Sequence, residues 1–297
     1  MEDINILCGD ALEMVQQLED GAIQMTVTSP PYYHLRRYTG DDAREIGREK
    51  TVQEYVAHLT DIFRALWDKT RDDGLLFLNL GDSYVNKELQ GVPWRVALSI
   101  SDNTPWIMRS DIIWRKTNAM PSAVNTRPTV EHEYVFMFSK NKTYYYDADA
   151  IREPHITFTE KSKMRGGRGH FGKRGGTPEQ GKNAGNPNLH KARWDQAFNP
   201  KGRNKRTVWD IPLGKCREAH FAVFPEKLVE TCMLAGSKSG DLVCDVFAGS
   251  GTTGIVATKL GREFVGIELN PEYVKMATRR ISETQPQLLV ESEMPQE

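Results

Sequence analysis

The sequence predicts an α/β fold built on a mainly parallel sheet. Three observations carry that expectation. Short apolar runs alternate with stretches of helical periodicity along most of the chain. Two of those runs lead directly into sharply turned segments, Ser29-Pro30-Pro31-Tyr32 and Ala248-Gly249-Ser250-Gly251. The length, 297 residues, suits one large domain carrying an insert.

Taken in order, Ile4 to Cys8 reads as a strand. Asp10 and Glu13 then have the spacing of a helix N-cap and its N3 partner, with Leu12, Val15 and Leu18 following. Ile23 to Val27 is a second strand. Val52, Tyr55, Val56, Leu59, Ile62, Phe63 and Leu66 recur at helical spacing and predict an amphipathic helix over 51–69, in a unit closed by Gly74. Leu75 to Leu78 reads as a buried strand. Further elements are expected at 92–101, 106–115 and 131–139. Pro225 and Gly236 bracket a helix. Asp241 to Phe247 is a strand, and the glycine turn after it opens a helix stopping at Gly261. Glu263 to Glu268 is another strand. Asn270-Pro271 starts a last helix with Tyr273, Val274, Ala277 and Ile281 on one face.

Residues 155–206 break this pattern. Glycine is frequent, apolar residues are sparse and periodicity is lost. The expected division is therefore 1–154, an insert over 155–206, and 207–297. Charge follows the same boundary. The chain carries 39 basic and 40 acidic residues, a net charge of −1. Lys161 to Arg206 holds thirteen basic and two acidic residues, leaving +11 there and −12 elsewhere. Such a segregation suits a polyanionic partner far better than the average suggests. No apolar run approaches the ~20 residues of a transmembrane helix, so no membrane partner is expected. Met1-Glu2-Asp3 begins no signal peptide, and four scattered cysteines without CxxC spacing fit reduced thiols in a cytoplasm. The histidines form no ligand spacing, so no metal is expected.

Two segments carry chemistry. Gly249, Gly251 and Gly254 match GxGxxG after a strand, and Glu268 ends the next strand. A tight turn plus a ribose-binding carboxylate is the geometry for an adenosine. A dinucleotide and S-adenosylmethionine both fit. Few residues follow the turn, so the other βα units lie upstream and the order is permuted, which disfavours a dehydrogenase. In Ser29-Pro30-Pro31-Tyr32 the prolines fix φ and offer no N–H, so the segment is rich in acceptors. The Ser29 hydroxyl and the Pro30 carbonyl suit a planar exocyclic amine, with Tyr32 stacked on its ring.

These segments lie in a familiar order. With them stand Gly9-Asp10-Ala11-Leu12, Trp114-Arg115-Lys116 with Asn118 and Pro121, Arg127-Pro128-Thr129, and Glu131-His132-Glu133-Tyr134. His220-Phe221-Ala222 with Phe224-Pro225, Asp245 to Thr253, and Gly266-Ile267-Glu268-Leu269-Asn270 complete the set. The chain resembles the β-group amino-methylating DNA methyltransferases of the TSPPY type over most of its length outside 155–206. Val246 departs from the usual Asp-Pro-Phe, and a valine there still suits a strand end.

The resemblance implies a Rossmann-like class I methyltransferase sheet in circularly permuted order, with a small basic target-recognition insert. It implies S-adenosyl-L-methionine as cofactor and double-stranded DNA as partner, and it is compatible with a cognate restriction endonuclease and a homodimer. It places catalysis on Ser29, Pro30, Pro31 and Tyr32. Asp10 is assigned to the adenine amino group and Glu268 to the ribose. Asp245 and the turn of Phe247, Gly249, Ser250, Gly251 and Thr252 face the methionine moiety, with Phe221 to Pro225 packed nearby. The expected DNA contacts are Arg36, Arg37, Lys161, Lys163, Arg165, Arg168, Lys173, Arg174, Arg203, Lys205 and Arg206. Trp114, Lys116 and Asn118 are candidates to line the base pocket, with core burial the favoured reading of Trp114, and His132 is expected to be structural. Serine at the head of the motif favours cytosine N4 over adenine N6. Two other classes stay open on the residues alone: an NAD-type oxidoreductase and a non-catalytic DNA-binding protein.

Overall fold

A computed structural model describes residues 5–35, 42, 44–156, 199, 201–214 and 224–285. The chain divides into two units, residues 1–147 with 206–297, and residues 148–205. In the smaller unit, an isolated bridge joins Glu153 to Arg203, and the Glu153 carboxylate pairs with Arg203 and Lys205.

The larger unit is built on an eight-stranded sheet. Its strands are β1 (Asn5–Cys8), β2 (Ile23–Thr28), β3 (Thr70–Leu80), β6 (Ile107–Arg115), β7 (His132–Ser139), β8 (Val208–Asp210), β9 (Leu242–Asp245) and β10 (Glu263–Glu268). A separate hairpin pairs β4 (Tyr84–Val85) with β5 (Glu88–Leu89). The sheet order is β1-β10-β9-β2-β3-β7-β6-β8. The first five strands are parallel, β7 runs antiparallel to both β3 and β6, and β8 is parallel to β6. The parallel half matches expectation and the other half is mixed.

Helices α1 (Ala11–Gln16), α2 (Val52–Lys69), α3 (Val92–Asn103), α4 (Glu226–Gly236), α5 (Thr252–Lys259) and α6 (Pro271–Ser282) complete the unit. The starts of α1 and α6 follow the sequence signals, and α2 adds one the periodicity did not show. Asp10 caps α1 by accepting from the N–H groups of Leu12 and Glu13. Thr51 and Glu54 close a capping box on α2. Asn270 caps α6 with Pro271 at its first position. One boundary differs: α2 ends at Lys69, and Gly74 lies inside an eleven-residue β3 rather than closing a helical unit. The β3 segment before Leu75 contains Arg71, Asp72 and Asp73, whose polarity hides its strand character.

The sheet buries two cores, one on each face. Strand alternation sends Leu76, Leu78, Phe136 and Phe138 to the face covered by Tyr55, Leu59, Phe63 and Leu66 of α2. Leu75, Phe77, Val135 and Met137 go to the other, with Leu228, Val229 and Cys232 of α4. Both faces being covered, the central strands read as continuous apolar runs.

The topology fixes where a ligand can sit. From β2 the chain proceeds to β3 on one side, whereas β9 proceeds to β10 on the other. The neighbours β2 and β9 therefore form the point at which strand order reverses. Ligands of open α/β sheets bind outside the carboxyl ends of the strands at such a point. The Ser29 loop leaves β2 there, and the glycine turn leaves β9.

Candidate active site

One cavity of about 290 Å³ lies at this reversal point. Gly9, Asp10, Phe247, Gly249, Ser250, Glu268 and Tyr273 line one part of its wall; Ser29, Pro30, Pro31, Tyr32, Trp114 and Lys116 line another. The two motifs recognised in the sequence, over 200 residues apart, thus share a single pocket.

The glycine turn owes its shape to packing. Gly251 has φ +82°, and a Cβ there would stand 2.8 Å from that of Ala277; at Gly254 it would stand 2.3 Å from Ile281. Only glycine lets α6 pack this closely against the start of α5. Glu268 ties the turn to the next strand. Its carboxylate accepts from the Gly249 N–H at 2.9 Å and the Asn270 N–H at 2.8 Å. These bonds oppose a shift caused by burial, which pushes the carboxyl above its usual range.

Asp245 departs from expectation. It is fully buried and is absent from the cavity wall. Thr28 Oγ1 donates to one of its oxygens at 2.7 Å and Thr253 Oγ1 to the other at 2.6 Å, with the Phe247 N–H adding a bond at 3.0 Å. Burial still raises its pKa to about 6. Asp245 therefore joins the strand end before Ser29 to the strand end before the glycine turn. Gly251, Thr252 and Pro225 also lie off the wall: Gly251 caps α5, Thr252 is buried in its first turn, and Pro225 caps α4. Phe224 lines the cavity, whereas Phe221 falls outside the described residues.

The acceptor loop is held by groups from distant strands. Tyr55 of α2 donates its hydroxyl to the Pro31 carbonyl at 2.8 Å. Asn79, near the end of β3, donates to Ser29 Oγ at 3.2 Å and to the Tyr32 hydroxyl at 2.8 Å. Tyr32 donates to Glu133 Oε2 at 2.5 Å, and Asn79 reaches the same oxygen at 2.9 Å. Lys116 pairs with the other oxygen of Glu133. Burial and the neighbouring Glu133 charge hold the Tyr32 phenol well above its usual pKa, so it stays protonated. The Tyr32 ring lies against Gly81, where a Cβ would stand 2.5 Å from the ring edge.

Asn79, Tyr55 and the role of Glu133 were not read from the sequence. Asn79 carried one signal, a polar residue near the carboxyl end of an otherwise apolar strand. Trp114 is buried and its indole N–H donates to the Ile211 carbonyl, as a core residue should, yet it also faces the cavity. Asn118 lies off the wall and fixes the chain after β8 by accepting from the Leu213 N–H at 2.7 Å. His132 packs its ring edge-on against Tyr134. Of the expected DNA contacts, Arg203 and Lys205 are ion-paired to Glu153, and the Arg206 carbonyl accepts from Trp209. Arg36, Arg37, Lys161, Lys163, Arg165, Arg168, Lys173 and Arg174 fall outside the described residues.

A DNA methylase family model, covering N6 and N4 amino-methyltransferases, matches residues 23–279. The chain belongs to this DNA methylase family. Among curated relatives, the type II methyltransferase M.SmaI of Serratia marcescens is 37% identical over 95% of this chain and 91% of its own. M.Cfr9I of Citrobacter freundii is 36% identical over 92% of this chain and 86% of its own. Among solved structures, the cytosine-N4-specific PvuII DNA methyltransferase superposes with a TM-score of 0.66 at 21% identity, covering 93% of this chain and 85% of the other. A putative DNA modification methylase of Thermus thermophilus, solved with S-adenosyl-L-methionine, gives 0.60 at 24% identity over 96% of each chain. The permuted class I methyltransferase fold expected from the sequence is thus the fold of this methylase.

S-adenosyl-L-methionine is the methyl donor of this DNA methylase, and the cavity has the chemistry to hold it. The Ser250 hydroxyl on its wall is buried and without a hydrogen-bond partner among the described residues. The Glu268 carboxylate accepts the backbone N–H groups of Gly249 and Asn270, and its four acceptor sites leave room for a ribose hydroxyl. No helix among the described residues is long and apolar enough to cross a membrane.

Proposed function

We propose that this DNA methyltransferase transfers a methyl group to the exocyclic N4 of a cytosine flipped out of double-stranded DNA. The observation that carries the proposal is the shared cavity: an acceptor loop headed by serine faces the same space as the glycine turn. The PvuII neighbour, titled cytosine-N4-specific, supports the choice of base. The relatives named type II methyltransferases support a restriction-modification setting with a cognate endonuclease.

The chemistry falls to the chain in parts. An amino group inside a duplex is out of reach, so the base must leave the stack. Its amine is a poor nucleophile because the lone pair is delocalised into the ring. Ser29 Oγ and the Pro30 carbonyl accept the two amine hydrogens and draw the nitrogen toward a pyramidal, nucleophilic form. Tyr32 bounds the pocket they form. Asp10 and Glu268 hold the adenine amine and the ribose of the donor, which supplies an electrophilic methyl when bound. The rate comes from positioning two reactants and from acceptors aimed at the positive charge that grows on nitrogen.

Nucleoside mass spectrometry of DNA treated with labelled cofactor tests the base. Labelled N4-methylcytosine is expected; labelled N6-methyladenine alone would overturn it. The basic stretch carries DNA affinity in this reading. Deleting 161–206 should abolish DNA binding while cofactor titrations stay unchanged.

A further inference from the structure

We infer that Glu133 is the terminal acceptor of the proton released from the target amine, reached through the hydroxyls of Ser29 and Tyr32. The inference rests on the reading that the amine binds at Ser29, and it holds for a cytosine or an adenine amine alike.

The hydrogen bonds have a direction. Ser29 donates to the Tyr32 hydroxyl at 3.4 Å, and Tyr32 donates to Glu133 Oε2 at 2.5 Å. A carboxylate only accepts, so the chain of donors ends at Glu133. Asn79 supports that order: its amide nitrogen lies within hydrogen-bond distance of all three oxygens, and its two hydrogens are shared among them. It occupies one lone pair of Ser29 Oγ. The other lone pair remains for the amine. Lys116 engages Oε1 of Glu133 and leaves Oε2 to Tyr32.

The step balances along this line. The amine nitrogen gives its lone pair to the methyl carbon, whose bond to sulfur breaks with the pair left on sulfur. The N–H proton passes to Ser29 Oγ as the Ser29 proton passes to Tyr32 and the Tyr32 proton to Glu133. The amine ends neutral and methylated, both hydroxyls are restored, and Glu133 ends as a neutral acid. Its side chain is 12% exposed, which gives the proton a route to solvent before the next turnover. A buried phenol held above its usual pKa is suited to this task, because it passes a proton on without resting as a phenolate.

The test uses the full chain, tritiated cofactor and unmethylated double-stranded DNA of mixed sequence, under single-turnover conditions. Glu133→Gln should slow methyl transfer about 100-fold, the scale of a lost proton acceptor, with DNA and cofactor affinities unchanged. The parent rate should fall in D₂O with a curved proton inventory, and Glu133→Gln should lose that dependence, which a merely structural role would not move. Tyr32→Phe keeps the ring against Gly81, cuts the relay and should behave alike; it carries the test if Glu133→Gln unsettles the fold. In the apoprotein, ¹³C NMR of Cζ-labelled tyrosines, with Tyr32 assigned by Tyr32→Phe, should show the Tyr32 pKa falling in Glu133→Gln. A parent protein that labels no exocyclic amine overturns the pocket reading. Labelled DNA with parent-like rate and isotope effect in either variant, or an unmoved Tyr32 resonance in Glu133→Gln, overturns the relay alone.

Discussion

The glycine turn and the acceptor loop both line the active cavity, but they are built in different ways. The turn is held from nearby: Gly251 and Gly254 accommodate α6, and Glu268 binds backbone N–H groups at the end of the adjacent strand. The loop is held from afar, by Tyr55, Asn79 and Glu133, which lie 24 to 101 residues from their partners. A short motif can specify the first. The second exists only once the sheet has formed, because β3 and β7 must pair before Asn79 and Glu133 meet. That pairing sets Asn79 opposite Val135 and Leu80 opposite Tyr134.

The comparison breaks most clearly at Ser29. Ser29→Ala removes the acceptor at the head of the loop and leaves the turn intact. Turnover should fall on the order of 100- to 1000-fold, the scale of losing one group aimed at transition-state charge, while the cofactor dissociation constant barely moves. Quenched transfer assays and calorimetry read the two quantities separately. The converse change is Glu268→Ala. Losing a charge-assisted acceptor for the ribose should weaken cofactor binding by roughly 10- to 100-fold, with turnover at saturation much less affected. Equal losses in both parameters for either variant would mean that the two regions do not act separately.

Gly81→Ala probes the distant support. The added Cβ would lie 2.5 Å from the Tyr32 ring, so ring or backbone must shift. Overpacking of this kind costs about 1–3 kcal/mol of stability. It should also lower turnover more than cofactor affinity, because Tyr32 belongs to the loop.

How much was legible follows the same divide. The Asp10 cap of α1, the GxGxxG turn and the Glu263–Glu268 strand obey rules spanning a few residues, and the sequence showed each of them. The antiparallel half of the sheet was not foreseen, since strand direction depends on connections rather than on periodicity. Asp245 was read as a ligand contact because a motif shows which residue stands at a strand end, but not where its carboxylate turns. Thr28 and Thr253 decide that, and Thr28 sits 217 residues away.

Asp245 is also where the two regions meet, and pH gives access to it. Its folded pKa of about 6 lies above the value of a solvated carboxyl, so the folded state binds the proton more tightly than the unfolded chain. The stability linked to this group is therefore full at low pH and is lost as pH rises through about 6. Thr28→Val removes one hydrogen bond that favours the charged form and pushes this pKa higher still. The variant should lose about 1–2 kcal/mol at pH 7 and less at pH 5, where the carboxyl is already protonating. Thermal melts of parent and variant at both values measure the difference. A larger loss at pH 5 would show that Thr28 does not favour the charged form.

The smallest effect tests whether local support can be removed without touching the chemistry. Thr51 and Glu54 exchange hydrogen bonds at the start of α2, and both are exposed. Thr51→Ala should cost about 1 kcal/mol, the usual worth of an N-cap. Tyr55 lies one turn further on and holds the Pro31 carbonyl, so α2 still reaches the acceptor loop. If fraying at the cap spread to Tyr55, turnover would fall as well as stability. The interior of α2 is anchored by Leu59, Phe63 and Leu66, all without exposed surface, and that burial should confine the damage to the first turn. A lower melting temperature with unchanged turnover is the expected result, and a parallel loss of both would place the cap among the supports of the loop.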